Sequence, residues 1–139
     1  MSHIATIAVE IKDLAALKTA AHTLGLEFME HQKTYRWYGR AVGRSADATD
    51  GLCDHALRVK GNANAYEIGV RQKADGSGYE LKWDNFNGGY GLTAMVGEKA
   101  EKLRQQYAAE VAVKTARKAG FRVVSRTVKN GNIQIVTQR

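Results

Sequence analysis

The chain opens on strict alternation. Ala5, Ile7, Val9 and Ile11 fall on one side, and Thr6, Ala8 and Glu10 on the other. A period of two is that of a half-buried strand, because successive strand side chains point to opposite faces. The period then changes. Leu14, Leu17, Ala21 and Leu24 recur at spacings of three and four, with Asp13 before them and Gly25 after. This predicts a helix with a carboxylate N-cap and a glycine just past its end. Leu26 to Tyr38 reads as one or two aromatic-rich strands. Residues 39–52 read as a loop on their glycine, serine and aspartate content. Ala56 to Lys60 reads as a short strand. Tyr66, Ile68 and Val70 alternate with Glu67, Gly69 and Arg71. After the turn Ala74-Asp75-Gly76-Ser77-Gly78, Tyr79, Leu81 and Trp83 alternate with Glu80, Lys82 and Asp84. Two alternating runs around such a turn predict a hairpin.

Asn85 to Gly91 is a second glycine-rich loop. A long helix is expected from about Leu92 to Ala119, on the stripe Leu92, Val96, Ala100, Leu103, Tyr107, Val111 and Thr115, and Gly120 ends it. Asn130-Gly131 between the β-rich runs 121–125 and 133–137 predicts a closing hairpin. The expected order is β-α-β-β-β-β-α-β-β. This is an α+β fold with a mainly antiparallel sheet of five to seven strands and two helices on one face. The 139 residues fit a single domain spanning 1–139.

Composition narrows the setting. Cys53 is the only cysteine, so no intramolecular disulfide forms and a reducing compartment is expected. Met1-Ser2-His3-Ile4 lacks the basic and apolar regions of a secretory leader, and no apolar run approaches a membrane span. A cytoplasmic chain without membrane association follows as the expectation. The net charge is +7. Residues 101–139 hold nine basic residues against Glu101 and Glu110, so the whole excess lies there and residues 1–100 balance. Such asymmetry points to an anionic partner.

The opening Met-Ser-His with its alternating strand, Asp13-Leu14 and Leu24-Gly25 resembles the hypothetical chloroplast open reading frame thirty-five family. Tyr66-Glu67-Ile68-Gly69-Val70-Arg71, Tyr79-Glu80-Leu81 and the run from Tyr107 to Arg139, closing on Val136-Thr137-Gln138-Arg139, are similar to it as well. The family occurs in plastids, cyanobacteria and other bacteria and carries a domain-of-unknown-function label. The likeness covers nearly the whole chain outside 39–52, although Ile4 stands where phenylalanine is common. It implies the fold, and no activity or cofactor.

No catalytic constellation emerges from the residues, and neither an enzyme nor a cofactor is expected. Cys53-Asp54-His55 would put thiol and imidazole on one side of a strand, yet a small buried cysteine beside solvated polar groups explains the run as well. His3, His22, His31 and His55 are scattered, without metal-ligand spacing. Asn87-Gly88-Gly89-Tyr90-Gly91 precedes a helix, as a phosphate cradle would, but lacks the P-loop ending. The best functional signal is basic-aromatic. Lys33, Tyr35, Arg36, Trp37, Tyr38 and Arg40 crowd one short stretch, with Arg44 following. If the rings are exposed, they stack unpaired bases while the arginines track phosphates; otherwise the rings pack inside and the arginines snorkel outward. A second cluster, Lys114, Arg117 and Lys118 at i, i+3 and i+4, lies near the end of the long helix, and Arg122 extends it. Cations there also complement the helix macrodipole. The expected role is a non-catalytic binding module for single-stranded nucleic acid or RNA. The alternative is a protein–protein adaptor or regulatory subunit of a larger complex such as an ATPase or polymerase. The chain itself is expected to be a monomer or a homodimer.

Overall fold

The computed structural model describes residues 4–38, 51–129 and 132–139. In chain order the elements are β1 (Ile4–Ile11), α1 (Leu14–Thr23), β2 (Leu26–Met29), β3 (His55–Val59), β4 (Ile68–Gln72) and β5 (Tyr79–Asp84). A 3-10 turn (Phe86–Gly91), α2 (Leu92–Val96), α3 (Glu101–Lys118), β6 (Arg122–Lys129) and β7 (Asn132–Gln138) follow. The first five strands form one sheet in the order β1-β5-β4-β3-β2, with every neighbouring pair antiparallel. β6 and β7 pair with each other in a sheet of their own. The α+β class and the antiparallel pairing agree with the alternation in the sequence.

The register shows why one face of the main sheet is dry. Val70 pairs with Leu81 and Leu57 with Ile68. These residues, with Trp83, point toward the helices and are fully buried. α1 meets them with Ala16, Leu17, Ala20 and Ala21. Three alanines on that stripe let the helix backbone lie close to the sheet. The Asp13 carboxylate accepts the Ala16 N–H at 3.0 Å and caps the first turn. Gly25 ends the helix at φ 85°, where a Cβ would lie only 2.8 Å from Met95 Cε.

Two expectations need correction. The helix from Leu92 to Ala119 is interrupted. α2 stops at Gly97 (φ 92°, ψ 157°), Ala100 takes φ 55°, and α3 starts at Glu101. Leu92, Val96, Ala100, Leu103 and Tyr107 are nonetheless all buried in the same core. Apolar periodicity reports which side is buried and survives a break that returns the chain to the same surface. The second correction concerns Leu26 to Tyr38. Only Leu26–Met29 is a strand. The chain then crosses the opposite face of the main sheet as a strap, held by Tyr35 N–H to Gly51 O (3.1 Å), Cys53 N–H to Lys33 O (2.8 Å) and Glu67 N–H to Arg36 O (3.0 Å). Tyr35, Trp37, Cys53 and Ala56 form a second buried cluster there. Gly69 provides the space, since a Cβ at that position would meet the Tyr35 ring.

Candidate functional site

The strap decides the fate of the basic-aromatic stretch. Tyr35 is 1% exposed and Trp37 6%, so neither offers a ring face to a base. Tyr38 is 40% exposed, with its ring edge-on to Phe86 at 5.0 Å. Lys33 is exposed and Arg36 half-buried. Arg40 and Arg44 lie outside the described residues, as does His3. The strap covers the sheet face opposite α1 and α3, so the sheet stands between its cations and those of α3.

On α3, Lys114 Nζ lies 2.6 Å from Asp13 Oδ2. Arg117 and Lys118 are exposed and carry no ion pair among the described residues. Arg122 donates to Gln138 Oε1 at 2.9 Å, and Arg126 pairs with Glu110 at 2.6 Å. The hairpin leans on α3 through that pair and leaves Val124, Val128 and Val136 exposed.

Beside these cations runs a groove. Its first part, about 510 Å³, lies between the β1–α1 junction and α3, over Tyr107, Ala108, Val111 and Ala112, with Arg104 at one end. Its second part, about 480 Å³, is a separate depression walled by Asp13, Val111, Lys114, Thr115, Arg117 and Lys118. The two share Asp13 and Val111 as walls. The local cause is the small side chains of Ala108 and Ala112. One helical turn apart and exposed, they leave a trough where longer residues would project. The junction that forms the other wall is held by Tyr107, whose hydroxyl oxygen accepts the N–H of Lys12 at 3.0 Å and of Asp13 at 3.1 Å.

The groove is apolar at one end and cationic at the other. Its one carboxylate, Asp13, is already committed. The hydrogen bond from Lys114, then the Ala16 N–H, hold it below the usual carboxylate range. Arg104 Nε is buried at the apolar end, with no hydrogen-bond acceptor among the described residues. Of these residues, Lys114, Arg117 and Lys118 were legible as a charge cluster. Lys12, Arg104, Ala108 and Ala112 were not, because only the packing of the β1–α1 junction beside α3 makes them walls of one space.

The remaining candidates take structural roles. Cys53 Sγ donates to Gln32 O at 3.0 Å, and burial, followed by Glu67 and Asp54, pushes its thiol up to about 12, far from a reactive thiolate. His55 is on the other side of the sheet from Cys53, among Phe28 and Tyr79. Its Nδ1 accepts the His31 N–H at 3.0 Å. Asn87, Gly88, Gly89 and Tyr90 all take positive φ. Gly89 O accepts the Tyr66 N–H and Gly88 O accepts the Thr93 hydroxyl, so this turn ties the sheet to α2. Among the described residues, no group of three or more His, Cys, Asp or Glu could hold a metal ion, and no helix is long and apolar enough to cross a membrane.

An antiparallel sheet with helices over one face and a strap over the other defines an α+β protein. The chain belongs to a family described as protein of unknown function (DUF1257), whose model matches residues 20–136. No curated protein and no solved structure matches it.

Proposed function

We propose that this chain is a single-domain, non-catalytic binding module of the cytoplasm, an adaptor that docks an anionic protein partner along α3, and that its family is that of hypothetical chloroplast open reading frame thirty-five. The observation that carries the reading is that an apolar depression and a cationic one adjoin on α3. An apolar trough over Ala108 and Ala112 shares its Asp13 and Val111 walls with a depression bordered by Arg117 and Lys118, which carry no ion pair among the described residues. Apolar surface supplies binding energy and a charged rim supplies orientation and on-rate. The test is affinity capture after nuclease treatment with the intact chain and with Ala112→Glu. One stoichiometric protein should be retained by the first and lost by the second. Capture of nothing, or capture indifferent to Ala112, removes the adaptor.

A second reading, single-stranded nucleic acid or RNA, is favoured by the concentration of the whole +7 in residues 101–139. Lys114, Arg117, Lys118 and Arg122 would meet phosphates there, and Lys33, Arg36 and Tyr38 would serve a separate surface. Filter binding to a labelled oligonucleotide at two salt concentrations tests it. Phosphate contacts make affinity fall steeply with salt, and absence of binding at low salt ends this reading.

A further inference from the structure

We propose that the cavity between the strap and the end of β3 binds a free amino acid, its carboxylate on Arg36 and its ammonium on Glu67. This site is on the other side of the sheet from α3 and does not rest on the adaptor reading.

The cavity holds about 490 Å³, within the range of small-molecule sites. Its walls are Gln32 and Arg36 of the strap, Arg58 and Val59 of β3, residues 61–63 and Glu67. Strand parity places them. Leu57 and Val59 of β3 belong to the core under the helices, so Arg58 between them faces the strap. Glu67, just before β4, reaches the same side. Its Oε1 accepts Gln32 Nε2 at 2.8 Å and the Arg36 N–H at 3.0 Å.

The hydrogen-bonding capacity left over is specific. Glu67 is 6% exposed, and its Oε2 makes no hydrogen bond among the described residues. Gln32 gives both amide hydrogens away, to Thr34 O and to Glu67, so its own side-chain oxygen remains an acceptor. Arg36 is half-buried, and its guanidinium forms no ion pair or hydrogen bond among the described residues. The other polar walls are occupied. Arg58 pairs with Glu27 at 3.2 Å, and the Asn62 amide is held by Tyr90 O and the Asn64 N–H. A guanidinium and a buried carboxylate therefore wall one space without pairing to each other.

Charges withdrawn from water are stable when paired and hydrogen-bonded. A simple anion would satisfy Arg36 and be repelled by Glu67, and a simple cation would do the reverse. A nucleic-acid backbone brings no cation for Glu67. A zwitterion answers both. Its carboxylate suits the planar fork of Arg36, and its ammonium is a pure donor facing two acceptors, Glu67 Oε2 and the Gln32 side-chain oxygen.

The test is isothermal titration calorimetry of the full chain with the standard L-amino acids, in pools and then singly. One-to-one binding of at least one is expected. Its N-acetyl and its carboxamide derivatives, each lacking one charge, should bind about tenfold more weakly or worse. Arg36→Gln should weaken the parent amino acid by a similar factor and leave the carboxamide unchanged, since that derivative has no carboxylate to lose. Glu67→Gln keeps an oxygen for the two inner hydrogen bonds and should weaken the parent amino acid but not the N-acetyl form. Arg36→Gln removes no side-chain hydrogen bond and should keep the circular dichroism and Tm of the parent, so the test stands even if Glu67→Gln fails to fold. The proposal is overturned if no amino acid binds, if either derivative binds as tightly as its parent, or if Arg36→Gln leaves the affinity unchanged. Tighter binding of glycerol 3-phosphate also overturns it, and would make this a site for a hydroxylated phosphate ester.

Discussion

Tyr107 shows how one residue holds a distant junction. Its hydroxyl oxygen serves two backbone N–H groups, those of Lys12 and Asp13, and thereby fixes the turn from β1 into α1 against α3. Tyr107→Phe removes that oxygen and little else. Losing hydrogen bonds to these part-buried donors costs ~0.5–1.5 kcal/mol, so urea denaturation should show a loss of that order; an unchanged midpoint would mean the junction is held elsewhere. His55 makes a pH prediction. Burial lowers its pKa from the ordinary 6.5, and the neighbouring His31 adds to this against the pull of Asp54 and Glu30. The folded chain thus holds the ring neutral, as the bond from the His31 N–H to Nδ1 requires. Because the unfolded chain takes up the proton more readily, the contribution is complete above about pH 6.5 and fades as pH falls toward the lower folded value. Tm should drop between pH 7.5 and 5, and His55→Gln should flatten that drop; equal slopes in both proteins would exclude His55 as its source. Asp13 and Glu101, also held below their ordinary values, lose their contributions at more acid pH.

At the level of elements, the break between α2 and α3 is the feature the amphipathic pattern concealed. Gly97 turns the chain at φ 92°, where an L side chain is strained, and an added Cβ would press on the Glu101 carboxylate. That carboxylate accepts the Lys99 N–H at 2.9 Å near the start of α3. Gly97→Ala should therefore destabilise by ~1–3 kcal/mol, and a neutral result in thermal unfolding would show that the break relaxes freely. The hairpins, by contrast, were legible. Val70 pairs with Leu81 across the turn that Asp75-Gly76 announces, and Val128 pairs with Ile133 around Asn130-Gly131. In both, the cues are local: alternation on either side and a glycine in the sequence between the two runs. The strap was not legible, because Tyr35 and Trp37 alternate as strand residues would. The burial of Tyr35 depends on Gly69, thirty-odd positions away.

For the whole molecule, the decisive fact is the sheet between strap and α3. Tyr38, the exposed ring of the strap, is on one side, and the groove is on the other. Tyr38→Ala should leave binding at the α3 groove unchanged. If single-stranded nucleic acid is bound through the strap, the same substitution should cost ~1–3 kcal/mol of oligonucleotide affinity. Titrating both ligands against this one variant separates the two surfaces. An effect on the groove ligand would mean that the faces are coupled through the sheet.

The order of residues by itself determined the periods of two and three to four, the turns marked by glycine and asparagine, the capping aspartate and the gathering of positive charge in residues 101–139. All of these are relations between neighbours along the chain, where backbone geometry is nearly context-free. Tertiary structure alone decided that Tyr35 and Trp37 are covered, that the last amphipathic stretch bends at Gly97, and that Ala108 and Ala112 face a wall supplied by Lys12 and Asp13. Each depends on which distant surfaces come into contact, and burial and concavity arise only when they do.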